Sequence, residues 1–372
     1  MGRIPQMESV IDAILQPGQH AVIFGERGVG KTSLAHIIRP LIARAKKPHI
    51  VIKVSATEKD NFSSLWCKAF QEAEWKRTVE SVGFKPVASQ IPTNLRELTN
   101  LSDDASPDDI RRALTEAPPT VFVFDEFDRL GRDTRMFTDL IKMVSDFDVE
   151  STIVLVGVAQ TVDQLIKGHA SIARTLSQVP MPRMSQKELE SILHNAAQQL
   201  QMQFDGSAAG RIAHMSQGLP HYTHLLGLHA TRHACARSSK QIDNSDLKGG
   251  TLTALGKADA TVRGGYSKAV DSAHADAKYR QVLLACALAK TNSVGFFRPT
   301  NVAEKLSNIL NKKAGIASFA RHISEFCQKK RGAILERHGV QFRPKYRFRD
   351  PLLPPYVIMQ GVNDRLIEDD DP

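Results

Sequence analysis

The chain counts 372 residues and 41.1 kDa, which at about 100–200 residues per domain implies two or three domains. Hydrophobic residues at 42% and charged residues at 24% exclude a disordered tail and a membrane protein alike. The net charge of +9 is unevenly spread, because residues 278–350 hold 16 Lys/Arg against 4 Asp/Glu while residues 351–372 hold one Arg against five acids.

A basic excess confined to one segment points to a polyanion partner. The longest apolar runs, such as Ile153 to Ala159, fall far short of the ~18 residues that cross a bilayer. The opening MGRIPQMESV has no basic and apolar signal pattern, so a cytoplasmic location without a membrane partner is expected. Cys67, Cys235, Cys286 and Cys327 are scattered without a CxxC or metal-ligand spacing, which predicts reduced thiols rather than disulfides or a zinc site.

In chain order, Gln19 to Phe24 reads as a buried strand, followed by a glycine-rich turn and the helical run SLAHIIRPLIARA, which Lys46-Lys47-Pro48 ends. His49 to Val54 is a second strand, and Phe62 to Lys76 has helical spacing that buries Trp66 and Phe70. Residues 80–105, with Pro86 and Pro92, read as irregular. A short helix follows in SPDDIRRALTEA, with a Ser cap and Pro in its first turn. Val121 to Phe124 and Thr152 to Val158 are two further apolar strands around a helix from Asp133 to Val144. Near-continuous apolar strands alternating with helices imply an α/β parallel sheet covered on both faces.

After Pro182 only helices are expected: Ser185 to Met202, Gly206 to Ser216 and Pro220 to Ala236, with a last helix before residue 250. Residues 251–275 read as a linker, from their Ser, Gly, Thr and Lys content. Ala277 to Lys290, Pro299 to Leu310 and Ala317 to Lys329 then form three helices, and GAILERHGVQFRPKYRFRD forms a hairpin. Three helices and a hairpin fit a winged helix-turn-helix over 276–350. Residues 351–372 read as a C-terminal tail, with the acidic run Glu368-Asp369-Asp370-Asp371 as a disordered end.

Gly25-Glu26-Arg27-Gly28-Val29-Gly30-Lys31-Thr32, followed by Ser33, fits GxxxxGK[ST] between a predicted strand and a predicted helix. Glycines let backbone N–H groups turn toward a phosphate, Lys31 reaches the β- and γ-phosphates, and Thr32 can ligate Mg²⁺. Asp125-Glu126 ends a separate apolar strand about a hundred residues later. There Asp125 suits a Mg²⁺ ligand, and Glu126 suits the group that polarises the attacking water. ATP and Mg²⁺ are therefore the expected cofactors, and ATP hydrolysis the expected activity.

GERGVGKTSLA, VFVFDEFDRL, TIVLVGVAQT and HASIARTL with PMPRMSQKEL resemble the AAA+ ATPases, over roughly residues 5–250. The similarity is greatest to the branch holding the origin-recognition and initiator ATPases, the transposition regulators and the STAND signalling ATPases. It implies a P-loop core over 1–183 and a helical lid over 184–250. Gln160 then falls at the sensor 1 position, where Asn or Thr is usual. Arg174 resembles the arginine presented to a neighbouring subunit's nucleotide, which implies a homo-oligomer. Gly218-Leu219-Pro220-His221 is similar to the GxP lid signature, placing Pro220 near the base, and His221 stands near where initiators carry a sensor 2 arginine. That departure puts lid-coupled hydrolysis in doubt.

In the basic module, Arg321, Lys312, Lys313, Arg343, Lys345 and Arg347 are the candidate contacts to double-stranded DNA. Alternation in KYRFRD puts Tyr346 and Phe348 on one face and Lys345, Arg347 and Arg349 on the other. The alternative is a STAND-like signalling or defence ATPase whose C-terminal module binds a protein effector.

Overall fold

The computed structural model describes residues 3–43, 49–80, 88–130, 134–147, 149–272, 277–292, 295–339 and 343–367. Lys46, Lys47, Pro48, Pro86 and the acidic run Glu368 to Asp371 lie outside the described residues. The chain forms two compact units, one made of residues 3–26 and 30–181, the other of residues 27–29 and 182–372 with the first two residues.

The first unit runs α1 (Ile4–Leu15), β1 (His20–Gly25), α2 (Lys31–Ile42), β2 (Ile50–Ser55), α3 (Phe62–Glu72), β3 (Glu74–Glu80), β4 (Ala88–Asn94), α4 (Leu95–Thr99), α5 (Pro107–Glu116), β5 (Thr120–Asp125), α6 (Arg135–Asp146), β6 (Thr152–Val158), α7 (Val162–Leu165) and β7 (Leu176–Pro180). Five strands form one parallel sheet in the order β2-β5-β6-β1-β7. Every residue of β5 is buried, as a central parallel strand covered on both faces must be. On one face Trp66, fully buried, lies 5.1 Å from the Phe122 ring and 4.9 Å from that of Phe124, between centroids. Such aromatic edge contacts add to the area that burial removes from water. Ser106 caps α5 in a reciprocal capping box, with Pro107 in its first turn.

Two expectations fail in this unit. Helix α3 stops at Glu72, and Glu74–Glu80 pairs antiparallel with Ala88–Asn94 instead of extending the helix to Lys76. The segment read as irregular therefore contains strand β4 and the short helix α4.

The second unit runs α8 (Gln186–Gln199), β8 (Gln203–Phe204), α9 (Gly206–Met215), α10 (Pro220–Ala236), β9 (Gln241–Ile242), α11 (Asn244–Lys257), α12 (Ala260–Val270), α13 (Tyr279–Leu288), α14 (Pro299–Ile309), α15 (Ala320–Phe326), β10 (Leu335–His338), β11 (Lys345–Phe348) and α16 (Leu353–Asn363). Helices α8 to α11 form the helical lid. Helices α13 to α15 with the β10-β11 hairpin form the winged helix-turn-helix, and a bridge from Phe297 to Tyr346 adds a third extended segment.

Segment 251–275 is not a linker, because it carries the second half of α11 and all of α12, capped by Asp259. Within the segment expected as a tail, residues 353–363 are folded. They form α16, whose Leu353, Tyr356, Val357, Ile358 and Met359 are buried. Pro354 and Pro355 are tolerated there because first-turn N–H groups have no intrahelical partner to lose. The third winged-helix segment is also shorter than expected: α15 covers seven residues, between single turns of 3₁₀ helix. Among the described residues no helix is long and apolar enough to cross a membrane.

His20 anchors the middle of the sheet. Its ring is fully buried, and Nδ1 accepts the Ile153 N–H at 3.0 Å from the neighbouring strand β6. Burial holds its pKa down at about 3, against an ordinary 6.5. Between those values the unfolded chain binds one more proton than the folded one, so stability falls as pH drops below 6.5. Between pH 7.5 and pH 5.0 the wild type should lose about 2 kcal/mol more than a His20→Gln variant. Denaturant unfolding of both proteins at the two pH values measures this, and parallel losses would mean that His20 is not the titrating group.

Candidate functional site

The turn between β1 and α2 brings backbone N–H groups to the first turn of a helix that has no side-chain cap. Gly30 takes a left-handed φ of 98°, which only glycine adopts freely. A Cβ on Gly25 would sit 2.5 Å from the Met181 carbonyl oxygen, so the loop also needs glycine for close approach. The uncapped donors and the helix dipole favour an anion there.

Lys31, the first residue of α2, is 7% exposed, and its Nζ donates to the Glu26 carbonyl oxygen at 2.7 Å. Burial lowers its pKa, and the Asp128, Asp125 and Glu26 carboxylates partly restore it. A buried ammonium bonded to a neutral carbonyl is a receptor for an anion of matching reach. Thr32 and Ser33 follow on the exposed side of the same turn.

At the end of β5, Asp125 is 3% exposed. Its Oδ1 accepts the Glu126 N–H at 2.9 Å and faces Thr32 Oγ1 at 3.4 Å. Its Oδ2 pairs with Lys53 of β2 at 2.9 Å. Two hard oxygen donors on adjacent elements, beside an anion cradle, fit Mg²⁺, which takes one or two protein oxygens and fills its octahedron with phosphate and water.

Glu126 has φ 53° and ψ 33°, a left-handed conformation that is strained for a glutamate and turns its side chain off the strand axis. It is exposed and pairs with Arg129 at 3.3 Å. With both side chains about half exposed, that pair contributes little and is easily released.

Sequence reasoning passed over Asp128 and Lys53. Asp128 Oδ1 accepts the Val158 N–H at 2.7 Å, tying the turn after β5 to the end of β6. Its signal is the third acid of DEFD. Lys53 is the one cation within the apolar run IVIKVS.

Gln160 lies two residues beyond β6, exposed, with its backbone N–H donating to Gln164 Oε1 at 2.7 Å. Arg174 is exposed in the turn before β7, and its carbonyl accepts from Gln19 Nε2 at 3.0 Å.

Arg27, Gly28 and Val29 group with the second unit. There Arg27 pairs with Asp259 at 3.6 Å, and a Cβ on Gly28 would meet Leu352 at 2.9 Å. Pro220 opens α10, and His221 follows it. Burial, then the charges of Arg27 and His224, lower the His221 pKa. Lowering its pKa disfavours the positive charge that an arginine would carry at this place.

The winged helix divides its cations into two groups. Lys312, Lys313, Arg343 and Lys345 are exposed. Arg321 and Arg347 also meet carboxylates of the module itself, Arg321 with its side chain 84% exposed and Arg347 with its side chain 17% exposed. Arg321 Nε donates to Glu325 at 3.0 Å. Arg347 pairs with Glu336 across the hairpin and lies over the Phe296 ring at 4.6 Å. Glu325, 8% exposed on its side chain, also accepts from Tyr279 Oη at 2.5 Å and pairs with Lys330 at 3.3 Å. The Tyr279 and Arg321 hydrogen bonds hold its pKa at about 2. The alternation expected in KYRFRD is present, with Tyr346 and Phe348 buried and Lys345 and Arg349 exposed.

Residues 21–183 match the family model described as "ATPase family associated with various cellular activities (AAA)". No curated protein matches the sequence. Among solved structures, the chain is similar to the Aeropyrum pernix ORC2 protein in its ADPNP-ADP complexes, at 12% identity and a TM-score of 0.55, over 98% of this chain and 94% of that one. It is also similar to the Aeropyrum pernix ORC1 protein in complex with DNA, at 15% identity and a TM-score of 0.49 over the same shares. Cdc6p from Pyrobaculum aerophilum matches at 12% identity and a TM-score of 0.47, over 98% of this chain and 95% of that one. With the first of these the chain shares its fold.

Proposed function

We propose that the protein, whose residues 21–183 match the AAA ATPase family model, binds and hydrolyses ATP with Mg²⁺ and couples nucleotide state to double-stranded DNA held by its winged helix. The observation that carries the first half is the meeting of buried Lys31, Thr32 and buried Asp125 at the C-terminal end of a parallel sheet. In this reading Lys31 Nζ leaves the Glu26 carbonyl for the β- and γ-phosphates, and the α2 N–H groups hold the β-phosphate. Thr32 Oγ1 and Asp125 Oδ1 would hold Mg²⁺, which supplies Lewis-acid charge at the phosphate oxygens. The Glu126 carboxylate, released from Arg129, orients the attacking water and takes its proton, and the Gln160 amide lies at the end of the adjacent strand to touch the γ-phosphate. Arg174 is the group offered to a neighbouring subunit, in a homo-oligomer.

Exposed Lys312, Lys313, Arg343 and Lys345 support the DNA half. The ORC1 protein named above was solved in complex with DNA, a property of that protein which gives the test its direction. The engagement of Arg347 by Glu336, a pair whose side chains are both mostly enclosed, favours the second reading. A wing that neutralises its own arginine has less charge for a polyanion, and a protein effector is then the partner.

Two experiments separate these statements. Lys31→Ala should weaken ATP binding about ten- to hundredfold, whereas Glu126→Gln should bind normally and lose about 10²–10⁴ in turnover. Unchanged turnover in Glu126→Gln removes Glu126 from its role.

For DNA, fluorescence anisotropy with a duplex across a salt series should give a steep loss of affinity as salt rises. Lys345→Ala should weaken binding and lower the salt slope by about one. Arg347→Ala should chiefly lower the melting temperature, since it removes the cross-hairpin pair. Absence of duplex binding at low salt would point to the protein effector.

A further inference from the structure

Asp125 divides its two oxygens between different tasks. Oδ1 is fixed by the Glu126 N–H at 2.9 Å and faces Thr32 Oγ1 at 3.4 Å. Oδ2 is taken by the Lys53 ammonium at 2.9 Å. Lys53 is itself steadied from α2, where His36 Nε2 lies 3.1 Å from Nζ. Its side chain is 22% exposed while that of Asp125 is 5% exposed, so the pair sits where water screens it poorly. Lys53 also lines a cavity of about 370 Å³ whose walls include His36, Arg39, Ser55 and Glu72. A four-carbon stem beside an open cavity can withdraw its ammonium from Asp125 and find another carboxylate, that of Glu72, in the same space.

We infer that Lys53 is a positioning residue that competes with the divalent cation for Asp125 and so sets how much Mg²⁺ the site requires. The inference rests on the reading of Asp125 as the residue that takes the cation. A carboxylate already neutralised by an ammonium attracts a second cation less, and two cations on one carboxylate repel each other. Lys53 aims Oδ1 toward Thr32 by holding Oδ2, and it raises the Mg²⁺ concentration at which nucleotide is held.

The test is binding of a fluorescent ATP analogue to the full chain, titrated with Mg²⁺, for the wild type, Lys53→Met, Lys53→Gln, Lys53→Arg and Asp125→Asn. Both neutral variants should reach half-saturation at roughly tenfold lower Mg²⁺, and Lys53→Arg should stay near the wild type. An unchanged or higher Mg²⁺ requirement in whichever neutral variant folds would overturn the inference, because a purely structural lysine would alter the melting temperature and not this midpoint. Asp125→Asn separates the two failures. If it leaves the Mg²⁺ dependence untouched, the reading of Asp125 is wrong; if it shifts the dependence while the Lys53 variants do not, only the role of Lys53 falls.

Discussion

A carboxylate and an ammonium buried at the same end of a parallel sheet govern the first unit. Asp125 and Lys31 are each nearly enclosed, and neither can remain charged there without partners. The sheet order meets this need. With β1 and β5 both flanking β6, the turn after β1 and the end of β5 open on the same edge, so Thr32 reaches Asp125. Strand β2 on the other side of β5 brings Lys53 within 2.9 Å. Asp128 then ties the following turn to β6, and the strained Glu126 is held between two anchored neighbours.

The second unit solves a similar problem around the buried Glu325. Glu325 gathers Tyr279, Arg321 and Lys330 around a single carboxylate, and the Arg331 guanidinium stacks over the Tyr279 ring at 3.8 Å. This network fastens α13, α15 and the turn before the hairpin, while the Arg321 and Lys330 side chains stay largely exposed. Lys312, Lys313, Arg343 and Lys345 are further cations that face outward.

The sheet was legible because β1, β2, β5 and β6 are mostly buried and therefore read as near-continuous apolar runs. Lys31, Thr32, Asp125 and Glu126 were legible because their spacing follows from local geometry, a turn into a helix and a strand end. The β3-β4 pair was not, since FSSLWCKAFQEAEWK keeps a helical pattern through Lys76 and only pairing with a distant strand ends it. Helix α12 carries Gly264 and Gly265, and α16 carries Pro354 and Pro355, compositions that resemble loops until tertiary packing overrides them. The Lys53–Asp125 and Arg347–Glu336 pairs were also hidden, because periodicity says which face a residue takes and not which charge it meets.

The anchoring of His20 by Ile153 bears on how the chain is made. The two residues are separated by 133 positions, and both strands that flank β1 are synthesised long after it. At roughly 5–20 residues per second, β1 waits on the order of ten seconds with two open edges. Its most apolar stretch, Ala21 to Ile23, is therefore the part of the nascent unit most exposed to misassociation, and a chaperone acting before β6 emerges would find its first substrate there.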